Sequence, residues 1–222
     1  MDQMTFIAEI LMPALIGGLV ITLQLIALSA PFGLLGGIGV AVGRTYGGRY
    51  TVLFCKAYVT FIKGCPLLLL LFILYFGLPS VGITLSAFVA SITGFILCNS
   101  AYSSEYIRGS MKSIKEGQLI AARALGMTER QVIVNIVLPQ ALRRAIPGLS
   151  NEFIYLIKYS SLAYMLTVIE LTGAGKLVAT KYFTYNETFI MVGAVYLLLV
   201  TITTFGANML EKKYAIPGID GR

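Results

Sequence analysis

Apolar residues along this chain fall in long runs, and the charges between the runs mark where helices must end. Ile10 to Gly43 is a stretch of 34 residues without a charge. About 20 apolar residues suffice for one membrane-crossing helix, so a single long or tilted helix is expected there. Gly64 to Ser104 gives another 41 uncharged residues. One helix cannot fill them, because Gly77-Leu78-Pro79-Ser80-Val81-Gly82 is turn chemistry; two spans follow, near 57–76 and 84–104. Thr188 to Leu210 adds 23 uncharged residues and a final span near 188–210. Between Pro147 and Glu170 lies a further candidate, about 148–169, apolar enough to insert although it contains Glu152 and Lys158. With the first span near 13–43, the pattern predicts an all-α integral membrane protein. It has five transmembrane helices in one domain over residues 1–222.

Residues 105–146 break this pattern. Helix–helix connections usually take about 2–8 residues, yet roughly 40 join the third and fourth spans. Gln118 to Leu125 (QLIAARAL) is rich in helix formers, and Gly126 follows as a left-handed stop. Thr128-Glu129-Arg130-Gln131 has the T-x-x-Q form of a capping box and opens a second helix. Val132/Ile136 and Ile133/Val137 pair at i,i+4 spacing, and Pro139 is expected to bend or end that helix. Two short helices with a fixed elbow would make a rigid handle at the membrane face. The same pattern also suits a solvated amphipathic loop that does no more than carry positive charge.

Composition narrows the class. Only 12% of the residues are charged and 57% are hydrophobic, against about 25% charged in soluble domains. That excludes an ordinary soluble enzyme, a disordered chain and a disulfide-stapled secreted module. A net charge of +7 would suggest nucleic acid until the cations are located. With the N-terminus outside, the cytoplasmic side carries Arg44, Arg49, Lys56, Lys63, seven basic residues from Arg108 to Arg144, and Lys212, Lys213 and Arg222. These are 14 of the 17 cations. Lys176 and Lys181 lie outside, and Lys158 lies within a span. By the positive-inside rule this is a multi-pass protein of the cytoplasmic (inner) membrane, N-terminus out and C-terminus in, with lipid and not nucleic acid around it. Cys55, Cys65 and Cys98 lack metal-ligand spacing and there is no His, so they are expected to be small buried residues. The opening MDQMTFIAEI has no basic flank, so the first apolar stretch should remain in the mature chain. Gly33/Gly37 and Gly39/Gly43 form two GxxxG pairs that let another helix approach closely.

The stretch IAARALGMTERQVIVNIVLPQALRRAIPG resembles the cytoplasmic loop of ABC importer permeases. That loop reads E-A-A, three residues, Gly, nine residues, Ile, any residue, Leu-Pro. Ala121, Ala122, Gly126, Ile136, Leu138 and Pro139 fall in register with it. Ile120 stands where the family has its leading Glu, so that residue's polar contact to an ATPase has no counterpart here. GGLVITLQLIALSAPFGLLGGIGVAVGR, KGCPLLLLLFILYFGLP and NSAYSSEYIRGSMKSIKEGQ are similar to the polar amino-acid uptake branch (histidine/glutamine/arginine-type). Lys63 and Cys65 depart from the R-G-T-P usual in the second of these motifs.

The resemblance implies a type I ABC importer permease: five transmembrane helices, a helical cytoplasmic coupling loop over 105–146, and alternating access. It implies separate ATPase subunits that hold ATP and Mg and dock under that loop. It also implies a solute-binding protein outside, and a second permease that is either another copy or a related chain. The chain itself is expected to be no enzyme and to bind no cofactor. Gly173-Ala174-Gly175-Lys176 looks like the end of a P-loop, but Glu170 replaces its first Gly and Leu177 its Ser/Thr.

Ionisable residues within a span are costly and call for an explanation. Glu152 and Lys158 are six residues apart, about 240° around a helix and about 9 Å along it, which disfavours a salt bridge within the helix. They mark two stripes, Asn151/Lys158/Ser161 and Glu152/Tyr155/Tyr159. One possibility is a structural ion pair, with Lys158 meeting an acid on another subunit. The other is a substrate site: Glu152 attracts a cationic group, Lys158 and Ser161 serve an anionic one, and Asn99 and Ser103 add hydrogen bonds, as the family's translocation pathway through the third and fourth spans implies. A stand-alone secondary transporter or channel for small polar solutes is the alternative function, and it would have no use for the elbow.

Overall fold

The computed structural model describes residues 3–214, and every regular element among them is helical. Arg222, counted above with the cytoplasmic cations, lies outside the described residues. The chain opens with α1 (Gln3–Phe6), a π turn over Ile7–Leu11, and α2 (Met12–Tyr46), which together run as one long helix. Gly47 and Gly48 are extended and end it. α3 (Arg49–Gly64) follows.

The interval 57–76, expected as one span, is divided. Cys65 is extended (φ −91°, ψ 127°) because the ring of Pro66 excludes the helical conformation from the residue before it. α3 and the helical run Leu67–Val81 therefore meet at 105°. That run begins as α4 (Leu67–Phe72) and continues through a π turn (Ile73–Gly77) into a 3-10 turn (Leu78–Val81). It stops at left-handed Gly82 (φ 84°), where turn chemistry was expected. α5 (Ala87–Lys112) is capped by Ser86, whose Oγ accepts from the Val89 N–H.

In the loop between spans, α6 (Glu116–Ala124) ends at Gly126, which adopts the left-handed conformation at φ 82°. α7 (Glu129–Val132) opens with both halves of the Thr128/Gln131 capping box formed. Pro139, however, does not end the second helix. A π turn over Ile133–Val137 precedes it, with the Leu138 N–H reaching back to the Ile133 carbonyl, which absorbs the hydrogen bond that Pro139 cannot donate. The helix continues as α8 (Leu138–Tyr159). A 3-10 segment (Ser160–Leu166) and left-handed Thr167 lead to α9 (Leu171–Tyr182), and α10 (Tyr185–Tyr214) closes the described chain.

The core is the pairing of α2 with α5. A Cβ on Gly33 would collide with the Asn99 side chain, and one on Gly37 would come within 2.8 Å of the Ser103 Cβ. The first GxxxG pair thus packs inside the chain. Gly43 instead approaches Thr51 and Cys55 of α3, and Gly39 meets nothing. Cys55 and Cys98 are buried as expected; Cys65, on the bend, is only half-buried. Met4–Tyr46 and Tyr185–Tyr214 are each long and apolar enough to cross a membrane as single helices, and two bent pairs would each supply another. α5 falls outside that set, because Asn99, Ser100, Ser103 and Ser104 dilute its apolar character; all four are buried. Within the chain, 33% of the most apolar stretch of the first helix is buried, against 6% for α10. The apolar surface of α10 must therefore be covered by lipid or protein.

Candidate functional site

The expected binding residues do not converge on one place. Asn99 and Ser103 sit in the α2–α5 seam, buried against Gly33 and Gly37, with the Ser103 hydroxyl donating to Asn99 Oδ1 at 3.5 Å. Lys158 and Ser161 face the other way. They line a groove of about 580 Å³ together with Thr172 of α9 and Phe189, Gly193, Tyr196 and Leu197 of α10. The Lys158 ammonium lies 5.6 Å from the centre of the Tyr155 ring, which stacks on Tyr159. The helical offset that disfavoured a Glu152–Lys158 pair is thus realised: the two residues serve opposite sides of α8.

Glu152 is 4% exposed. Among the described residues it has no ion-pair partner. Lys63, Cys98, Tyr102 and Tyr159 line a cavity of about 420 Å³ together with the 64–68 bend and Leu162. Lys63 Nζ lies 5.4 Å from the centre of the Tyr102 ring, across the mouth of the cavity. The Pro66 break puts residues 64–68 in the wall of this cavity. The volume falls in the range of small-molecule sites, about 300–1,000 Å³. The cavity combines an accessible cation with aromatic faces, and Glu152 is not among the residues that line it.

Two ionic features escaped the sequence reading. Glu105 accepts from Arg44 at 2.6 Å and from Arg108 at 2.7 Å, clamping the ends of α2 and α5. Burial pushes its carboxyl upward, but the two guanidiniums prevail and hold it at about 2. The i,i+3 spacing of Glu105 and Arg108 was the available signal. Glu170 is fully buried at the start of α9, where it accepts from the Thr172 and Gly173 N–H groups and from the Tyr196 hydroxyl, each at 2.9 Å. The P-loop-like Gly173–Lys176 stretch therefore belongs to a helix whose N-terminus is already occupied by a carboxylate. An acid directly before a helix start was the readable sign.

The elbow presents a surface of different character. Arg123 donates to both carboxylate oxygens of Glu129, at 2.7 and 3.2 Å, across the Gly126 turn. Ala122 is buried, while Ala121, Gly126 and Pro139 are exposed and Ile136 and Leu138 half-buried. Ile120 is 57% exposed and Leu125 84%. Val132, Val137 and Ala141 anchor the elbow on Ile107 and Met111 of α5.

Residues 33–216 match the family model described as the binding-protein-dependent transport system inner membrane component. The chain is 42% identical over 160 residues to the Probable amino-acid ABC transporter permease protein YckA of Bacillus subtilis (strain 168), covering 72% of this chain and 71% of that one. It is 37% identical over 190 residues to the Probable glutamine ABC transporter permease protein GlnM of the same organism, covering 86% and 87%. Among solved structures, an amino acid ABC transporter crystallised with histidines superposes with a TM-score of 0.86 at 29% identity, over 96% of this chain and 99% of that one. The inward-facing MetNI methionine ABC transporter superposes with a TM-score of 0.76 at 21% identity, over 94% and 100%, a likeness of fold.

Proposed function

The chain belongs to the family of binding-protein-dependent transport system inner membrane components, the permease subunits of ABC importers, and from that membership we propose that it passes polar amino acids into the cytoplasm by alternating access. Amino-acid permeases among its relatives support the substrate class. Glu152 is the observation that carries it: a carboxylate buried within the helices, without an ion-pair partner among the described residues, suits the cationic group of an amino acid. Lys63 at the mouth suits the carboxylate of the same molecule. Of the residues expected from sequence, Glu152 is carried forward as a substrate contact. Lys158 and Ser161 are assigned to a second stretch of the route along α10, and Asn99 and Ser103 to holding α5 against α2.

ATP and Mg belong to separate ATPase subunits, which dock on the elbow through Ala121, Gly126, Ile136, Leu138 and Pro139, while buried Ala122 holds the elbow to α5. The Arg123–Glu129 bridge and the capping box keep that elbow stiff, so that a push on it reaches α5 and α8. Exposed Ile120 and Leu125 make the contact an apolar one. α5 supplies the fifth span with α2, the bent segment near 57–76, α8 and α10, N-terminus out and C-terminus in, as the distribution of cations supports. A solute-binding protein delivers substrate, and a second permease covers the open face. A carrier acting alone is set aside by family membership. Reconstitution with the cognate ATPase in proteoliposomes tests the proposal: uptake of labelled arginine, histidine or glutamine should require ATP inside the ATPase compartment. Uptake of these amino acids that persists without ATP, or none with it, would refute it.

A further inference from the structure

α3 has three faces. Cys55, Val59 and Ile62 are buried against α5 and α2. Tyr50, Leu53, Phe54 and Phe61 project outward, at 85%, 64%, 74% and 62% exposure. Arg49 and Lys56, seven residues apart and so within about 20° of one another around the helix, form a cationic edge beside that aromatic face; both are exposed. No acidic residue occurs from Arg49 to Gly64.

The helix meets the α4 run at 105°, so the two cannot both follow the bilayer normal. α3 starts where α2 ends, with Thr51 and Cys55 against Gly43, at the level where the charged ends of α2 and α5 are clamped by Arg44, Glu105 and Arg108. A helix lying so, with aromatic and aliphatic side chains on one face and cations along its edge, has the chemistry of an interfacial anchor. We propose that α3 is a binding surface for acidic phospholipid: Tyr50, Leu53 and Phe54 enter the acyl boundary while Arg49 and Lys56 hold the anionic headgroup. A second copy of the chain is a poorer occupant, because α3 has no acid to meet the opposing copy's Arg49 and Lys56. Lys63 lies over Tyr102 in the cavity wall and is left out of this surface.

The chain contains no Trp, so the emission that Phe54→Trp adds over the same assembly without the substitution reports on α3. The full chain, assembled with its ATPase, would be placed in vesicles of phosphatidylcholine and phosphatidylglycerol in which either one or the other lipid carries brominated acyl chains. The expected result is stronger quenching of Trp emission by brominated phosphatidylglycerol. Removing Arg49 or Lys56 (R49Q, K56Q) should weaken that preference by roughly fivefold per cation, and Leu198→Trp on α10 should show no preference. Equal quenching by both lipids, or a preference unchanged in the R49Q/K56Q double variant, would overturn the proposal. So would absence of quenching by either lipid, which would place α3 against protein or water.

Discussion

Glu105 and Glu152 are carboxylates on adjacent helices, and they are treated in opposite ways. Glu105 is gripped by two guanidiniums from two helices. Glu152 is more deeply buried and has no ion-pair partner among the described residues. A charge that is both buried and unpaired is destabilising unless something neutralises it. The pairing of Glu105 makes it a clamp, and the isolation of Glu152 is what the proposed contact with a substrate cation rests on. On that proposal the contrast separates structural charge from transport charge within one chain.

The sharpest way to break the comparison is to neutralise both. Glu152→Gln should lower ATP-driven amino-acid uptake by an order of magnitude or more, since a charge-assisted contact contributes about 1.5–3 kcal/mol. Its melting temperature should hold or rise. Uptake rates and thermal unfolding of the purified assembly check this together, and a large fall in stability would move Glu152 to the structural side.

Gly33→Val tests whether Asn99 belongs to the scaffold. The added atoms strike its side chain, and overpacking of this kind costs about 1–3 kcal/mol, read as a lower unfolding temperature. Gly126→Ala puts a Cβ on a residue at φ 82°, at a cost of about 1–2 kcal/mol. Local exchange of elbow amides should rise, with transport falling more than ATP hydrolysis.

The smallest effect is the pH response of the clamp. Glu105 is held at about 2 in the folded chain, against 4.5 without its partners. Its stabilisation is fully present above the ordinary carboxylate value and is lost as pH falls from about 4.5 toward about 2. Glu105→Gln should flatten that acid limb of the stability curve and leave uptake at neutral pH nearly intact.

How far the sequence reached differs between the two regions in the same way. The elbow was legible because its geometry is local: Gly126, the Thr128/Gln131 box and the apolar pairs after it each act within a few residues. Only the consequence of Pro139 differed, since a π turn can absorb a missing N–H where a simple rule ends the helix. The binding region was half legible. Hydrophobicity made Glu152 and Lys158 conspicuous, and helical spacing separated them. Their surroundings depend on contacts between distant residues: Lys63 shares a cavity wall with Cys98, Tyr102 and Tyr159, beside the bend that Pro66 makes. Asn99 looks like a pathway residue by polarity, and only the approach of Gly33 shows what it packs against.

Substrate binding to the purified assembly, followed by equilibrium dialysis of the labelled amino acid that it transports, tests the proposed contact at Glu152 most directly. Wild type, Glu152→Gln and Glu105→Gln would be measured side by side. The prediction is binding by wild type and Glu105→Gln and its loss, by tenfold or more, in Glu152→Gln. Equal binding by all three, or equal loss in both variants, would contradict it.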